Sequence, residues 1–173
     1  MKVLVIGGAG YVGSVLVREL LDRGYGVRVY DRLYFGDAGL KEIKDRIELV
    51  VGDMRAMPKA VFEDVEVCIN LGGLSNDPTA EYNPEANREM NTVSTEKSAL
   101  LCSEAGVKKY IYGSSCSVYD VGISNEEKDI IVDEEQPVNP KAAYSSSKYL
   151  AERALLKLAG PDFCPVILRK GTV

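Results

Sequence analysis

Short apolar runs alternate along the chain with segments whose apolar residues recur every three or four positions. VLVIG (3–7) carries no polar alternation, which predicts a strand buried on both faces. In residues 11–23, Val12, Val15, Leu16 and Leu20 fall on one side of a helix, and Gly24 follows as a stop. Strand-like runs come next at VRVYD (27–31), IELVV (47–51), VCINL (67–71), YIYGS (110–114) and VILR (166–169). A long helix is expected over about 85–105, closed by Gly106, another over about 143–159, and a weak one near 38–44. The order β-α-β-β-β-α-β-α-β predicts an α/β domain over residues 1–173, built on a doubly wound parallel sheet.

The last of these helices breaks its own pattern. In AAYSSSKYLAERALLKL (142–158), Tyr144, Ala151, Leu155 and Leu158 share one face, and Lys148 sits among them. A lysine on an apolar stripe either snorkels to water or is paired and used. Tyr144 and Lys148 are one turn apart, so the ammonium can approach the phenol.

Composition narrows the chemistry. The 173 residues carry a net charge of -5 with scattered basic side chains, adjacent only at Lys108–Lys109 and Arg169–Lys170, so no nucleic-acid footprint is expected. No apolar run reaches the length of a membrane span, and the first one is too short for a signal peptide. Cys68, Cys102, Cys116 and Cys164 form no CxxC pair, which favours a reduced, cytoplasmic setting. With no histidine, catalysis by Ser-His-Asp or Cys-His is excluded and no metal site is expected. Proton transfer must fall to Tyr, Lys, Cys, Asp or Glu. Residues 120–136 are strongly acidic and read either as a solvated surface loop or as a flap beside a substrate site.

GGAGYVG (7–13) follows the first strand and opens the first helix, with Gly7, Gly10 and Gly13 spaced around Tyr11 and Val12. Glycines let a pyrophosphate approach the backbone, and the helix N-terminus attracts its charge. Asp31 ends the next strand 18 residues after Gly13, where an acid would bind the adenosine ribose. Asp31 should repel a 2′-phosphate and so favour NAD over NADP, although neighbouring Arg32 could pair with one. Asp53 in GDMR (52–55) either caps a turn or holds the adenine amino group beside Met54. Tyrosine titrates near pH 10; bringing it to neutrality needs about 4 kcal/mol, which Lys148 and a positive nicotinamide could supply together. The strand YIYGS runs into SSCSVY (114–119), a hydroxyl-rich turn at the ligand-binding end of such a sheet.

Taken together, GGAGYVG, Asp31, GDMR, INLGGLSNDP (69–78), EMNTVST (89–95), SSCSVY, YSSSK and ILRKGTV resemble the extended short-chain dehydrogenase/reductase family, in particular its NAD-dependent sugar-nucleotide epimerases and dehydratases. The resemblance implies a Rossmann-like fold and a nucleotide-sugar substrate. It implies that Tyr144 is the general base, that Lys148 binds the nicotinamide ribose, and that Ser115 hydrogen-bonds the substrate oxygen, with Ser114 and Ser117 as alternatives. It places Leu71, Gly72 and Gly73 along the cofactor, where many relatives have Ala-Ala for Gly72-Gly73, and gives Asn91 a supporting place. Family dehydratases carry Asp-Glu after the catalytic hydroxyl; Cys116 and Ser117 stand there here, so dehydration is disfavoured. Cys116 then replaces a small neutral residue, with a reactive thiol as the alternative. The family is roughly twice as long, so the C-terminal substrate-binding part is expected to be absent from this chain. Family members often pair through a four-helix bundle, for which residues 85–105 and 143–159 are the candidates.

Overall fold

The computed structural model, which describes residues 1–75, 77–119 and 131–171, holds six parallel strands in one sheet. These are β1 (Lys2–Ile6), β2 (Gly26–Asp31), β3 (Ile47–Val51), β4 (Val67–Asn70), β5 (Lys109–Ser115) and β6 (Cys164–Lys170), in the spatial order β3-β2-β1-β4-β5-β6. Among the described residues, five α-helices accompany them: α1 (Tyr11–Asp22), α2 (Asp77–Tyr82), α3 (Pro84–Arg88), α4 (Ser94–Glu104) and α5 (Ala143–Lys157). The strand order reverses between β1 and β4, and in this Rossmann arrangement the ligand crevice opens at that reversal, beyond the carboxyl ends of the strands.

Alternation along β1 divides the core. Leu4 and Ile6 face α4 and α5 with Cys68, Tyr110, Tyr112, Ala151 and Leu155, while Val3 and Val5 face α1 with Val17, Leu21, Val27 and Val29. The run VLVIG, read as a strand buried on both faces, therefore does lie between two layers. On β6, Ile167 packs into the α5 side, and Val166 and Leu168 point the other way with 36% and 47% of their surface exposed.

Helix α1 is rotated from the expected face. Gly13, Val17 and Leu21 are its buried positions, Leu16 and Leu20 are partly buried, and Val15 is 61% exposed. The cause is the close approach of Gly13 to the Gly7 carbonyl, which fixes the rotation of the helix before its apolar side chains can. The expected helix over 85–105 is a continuous helical run, but its middle, Glu89–Val93, is a π-turn. The weak helix near 38–44 is a 3₁₀ run over Ala38–Arg46. Helix α2 was not expected, since DPTAEY is too short to show a period. Of the acidic segment, residues 120–130 lie outside the described residues; Asp133 and Gln136 form an exposed turn. All four cysteines are free, Cys68 and Cys102 in the core, Cys116 and Cys164 exposed. Among the described residues no helix is long and apolar enough to cross a membrane, and no cluster of acidic, cysteine or histidine residues could hold a metal.

Candidate active site

The crevice begins at the β1–α1 turn. Gly7 has φ +76°, and a Cβ there would stand 2.7 Å from the backbone nitrogen of Gly72. A Cβ on Gly13 would collide with the Gly7 carbonyl and lie 2.7 Å from Gly8 Cα. Both obstacles are backbone, so neither can step aside. Gly10 closes the turn through its N–H to Gly7 O (3.2 Å) and brings no side chain to cap α1, which leaves the first-turn amides free to face a pyrophosphate. Tyr11 and Val12 open that first turn, Tyr11 exposed and Val12 half-buried. The cradle fits the phosphates of a dinucleotide. Gly13→Ala is expected to weaken NADH binding at least tenfold by forcing this loop outward, as a fluorescence titration would register; unchanged affinity would remove the loop from the site.

Asp31 serves the same loop. Its carboxylate accepts the N–H of Ala9 (3.0 Å) and of Leu33 (2.8 Å), and Leu33 adopts a left-handed φ of +57°. One carboxylate thus ties the phosphate loop to the end of β2, where the adenosine ribose belongs in such a fold. Asp53 does cap: it accepts Arg55 N–H at the start of the 3₁₀ turn Met54–Ala56 and is gripped by the Arg55 guanidinium. That bond, with Arg32 at 3.3 Å as a lesser contributor, pulls the Asp53 pKa down to about 2. Arg32 is therefore partly engaged by Asp53. Met54 is buried, its sulfur 3.1 Å from where a Cβ of Gly72 would stand.

Beyond β4, the backbone of Leu71–Leu74 is held by two asparagines. Asn70 Oδ1 accepts Gly72 N–H (2.9 Å), while its Nδ2 donates to Tyr110 Oη (2.8 Å) and Thr95 Oγ1 (3.2 Å). Asn91, fully buried in the π-turn, accepts Leu74 N–H (2.8 Å) and donates to Leu74 O, Asn87 Oδ1 and Ser147 Oγ. A Cβ on Gly73 would collide with Asn91 Oδ1, which accounts for glycine at that position. Asn91 thus holds the crevice wall from behind. Asn87 and Thr92 extend the clamp to Ala143 O and Ser147 O at the start of α5. The π-turn is what aims these side chains together; such turns gather at functional sites.

The reactive end lies where β5 meets α5. Ser115 Oγ accepts from Ser117 N–H (3.2 Å) and Ser117 Oγ (2.9 Å), which leaves its own O–H to donate. Ser114 points to the opposite side of β5 and donates to Glu152, while the Ser115 hydroxyl pulls the Tyr144 pKa downward. Lys148 is 5% exposed; its Nζ donates to Gly113 O at 3.0 Å and lies 4.9 Å from the Tyr112 ring centre and 5.8 Å from that of Tyr144. Burial, then the charge of Lys170, push the Lys148 pKa down to about 8, against an upward pull from Glu152. The Tyr144 phenol is raised above its ordinary value by burial, opposed by the Ser115 hydroxyl, with Asp77 and Cys116 adding to the rise. The lowering expected from Lys148 and a positive nicotinamide together is not present in the protein alone, where Lys148 is not among the causes of the shift.

One part of this end belongs to no sequence motif. Glu152 is 1% exposed and receives Arg169 as a fork, Nη2 to Oε2 at 2.7 Å and Nε to both oxygens at 3.2 Å. Arg169 also donates to Tyr119 Oη (2.9 Å) and lies over its ring. The hint available in sequence was that Glu152, like Lys148, sits one turn along the stripe from its neighbour.

A Rossmann sheet, a glycine cradle and a serine-tyrosine-lysine cluster at the β5–α5 junction define a dinucleotide-dependent domain of the short-chain dehydrogenase/reductase type. Residues 3–173 match the model of the NAD dependent epimerase/dehydratase family, and the chain belongs to that family. It is 32% identical over 165 residues to a UDP-glucose 4-epimerase of Rhizobium meliloti, covering 89% of this chain and 46% of that protein. It is 30% identical to the mouse sterol-4-alpha-carboxylate 3-dehydrogenase, decarboxylating, over 92% of this chain and 42% of that protein. Its structure superposes on that of the UDP-Glc/GlcNAc 4-epimerase from Campylobacter jejuni with a TM-score of 0.88 and 27% identity, covering 97% of this chain and 52% of that one. The chain spans about half the length of the curated relatives it matches.

Proposed function

We propose that residues 1–173 form the NAD-binding and proton-transferring unit of a nucleotide-sugar 4-epimerase. The observation that carries this is the cluster at the β5–α5 junction, where buried Lys148 lies 5.8 Å from the centre of the Tyr144 ring and the Ser115 hydroxyl pulls the Tyr144 pKa down against its burial. Gly7, Gly10, Gly13 and the α1 amides take the pyrophosphate, Asp31 the adenosine ribose, and the wall at Leu71–Gly73 the nicotinamide half. Held there, the cofactor would supply the hydride acceptor for the sugar carbon and the donor for its return. Tyr144 Oη accepts the hydroxyl proton and later gives it back. Ser115 donates to the sugar oxygen, and Lys148 binds the nicotinamide ribose and holds positive charge beside the forming phenolate.

The first test is a fluorescence titration of the chain with NADH and NADPH, followed by an assay of UDP-glucose/UDP-galactose interconversion. NADH binding with weak NADPH binding supports the assignment; binding of neither counts against it. Asp31→Asn is expected to weaken NADH binding about tenfold or more and to narrow the NADH/NADPH ratio, since a charge-assisted bond to a ribose hydroxyl contributes about 1.5–3 kcal/mol. An unchanged ratio would assign selectivity elsewhere.

A second reading, a net dehydrogenase or reductase, is favoured by the sterol dehydrogenase among the relatives. It predicts a stoichiometric change in NADH absorbance, where epimerisation gives none. A third reading, a non-catalytic NAD-binding module, predicts cofactor binding without turnover. A homodimer through α4 and α5 fits their outer faces: Leu101 and Leu155 pack inward, and Leu100, Leu150 and Leu156 are 41–50% exposed. We place the protein in the cytoplasm on its free cysteines.

A further inference from the structure

β6 ends on Lys170, whose backbone is the register partner of Ser115. Arg169 turns toward α5, so alternation sends Lys170 to the opposite face. There its Cε lies 3.4 Å from the point that a Cβ on Gly113 would occupy. Lys148 reaches the same residue from α5 and holds its carbonyl at 3.0 Å. Two ammonium-bearing side chains therefore converge on one residue at the ligand edge of the sheet. Each suffers for it: Lys170 helps to lower Lys148, and burial lowers Lys170. The buried carboxylate of Glu152, which pulls on Lys148, is occupied by Arg169 and Ser114. Among the described residues, no acidic side chain forms an ion pair with Lys170.

Partly buried cations without a counter-ion are costly, and a ligand anion removes the cost. The cofactor's pyrophosphate is not that anion. Its cradle is on β1, three strands away from β6, or about 14 Å at ordinary strand spacing. What comes within reach of Lys170 is the second ligand, whose reacting hydroxyl must lie at Tyr144 and Ser115, one strand spacing away. We infer that Lys170 is a specificity-determining residue that binds a carboxylate on the substrate, carried within a few bonds of the hydroxyl that Tyr144 deprotonates. This rests on the epimerase-type site proposed above, and it narrows the substrate from any nucleotide sugar to one bearing an acid group.

The test is a ¹⁵N-correlation titration of the NADH-saturated chain. D-Glucuronate should shift the amides of Gly113 and Ser115 saturably, with an apparent affinity at least tenfold above that of D-glucose. Lys170→Gln should bring the two sugars within about twofold of each other, and Lys170→Arg, which keeps the charge, should retain the preference; the same spectra show whether each variant is folded. Absence of a glucuronate response in the wild type, an equal response to glucose, an equal response to inorganic phosphate, or a preference that survives in Lys170→Gln would each overturn the assignment. NADH-induced shifts at Gly7–Gly13 report separately on the dinucleotide site. If they are missing, the epimerase reading fails whatever glucuronate does.

Discussion

Tyr144→Phe should lower nucleotide-sugar turnover by a factor of about 10³ or more while NADH continues to bind, because a positioned general base contributes about 10²–10⁴-fold and here no histidine can replace it. Phenylalanine keeps the ring beside Lys148 and removes one oxygen, so packing survives and the loss belongs to chemistry. The structure adds a condition. Burial raises the Tyr144 phenol above its ordinary value, so in the protein alone it is neutral at physiological pH and is no base. Lys148, lowered to about 8, is still mostly charged at pH 7, but its hydrogen bond goes to Gly113. The remaining stabilisation of phenolate must come with the positively charged cofactor. Adding NAD⁺ at pH 8 is therefore expected to raise absorbance near 295 nm in the wild type, with no such rise in Tyr144→Phe. Wild-type-like turnover in the variant would end Tyr144's role; an identical absorbance change in both proteins would move the phenolate to another tyrosine.

The features that could be read from the chain are those in which neighbouring residues carry the information. β1 shows as a strand because its burial on both faces removes polar alternation, and the phosphate turn shows because Gly7, Gly10 and Gly13 are local in sequence. Tyr144 and Lys148 were visible as one helical turn. What stayed hidden depends on contacts between distant segments. The rotation of α1 follows from Gly13 meeting the Gly7 carbonyl, which no hydrophobic period encodes. Asn70, Asn87 and Thr92 look like ordinary polar residues until the π-turn at Glu89–Val93 brings two of them against α5. Glu152 and Arg169 are 17 positions apart on different elements, and Lys170 gains meaning only from its register with Ser115. Asp53 was open between two roles, and its bonds to Arg55, two residues on, show the cap.

Arg169→Ala is expected to be the most destabilising single change at the site, by about 3–5 kcal/mol, since it leaves a buried carboxylate without its cation. Glu152 is 1% exposed, and Arg169 supplies its only ionic partner among the described residues. The loss is a large share of a domain's usual stability of about 5–15 kcal/mol. Urea unfolding should show it as a lower midpoint. Lys59→Ala, which breaks a pair exposed by 58% and 60%, should change stability by less than about 1 kcal/mol in the same assay. The double variant Glu152→Leu/Arg169→Met should recover most of the loss, because removing both charges also removes the desolvation cost, and a cycle through the single variants isolates the coupling. A loss below about 1 kcal/mol for Arg169→Ala would mean that water reaches Glu152 and that the pair is not sealed. The consequence for the site runs through Ser114. Its hydroxyl is anchored on Glu152 of α5, while the carbonyl of Gly113, the residue before it, accepts from Lys148 of the same helix. The recovered double variant should therefore fold yet bind NADH less tightly than wild type, separating what this ion pair does for stability from what it does for the placement of the reactive residues.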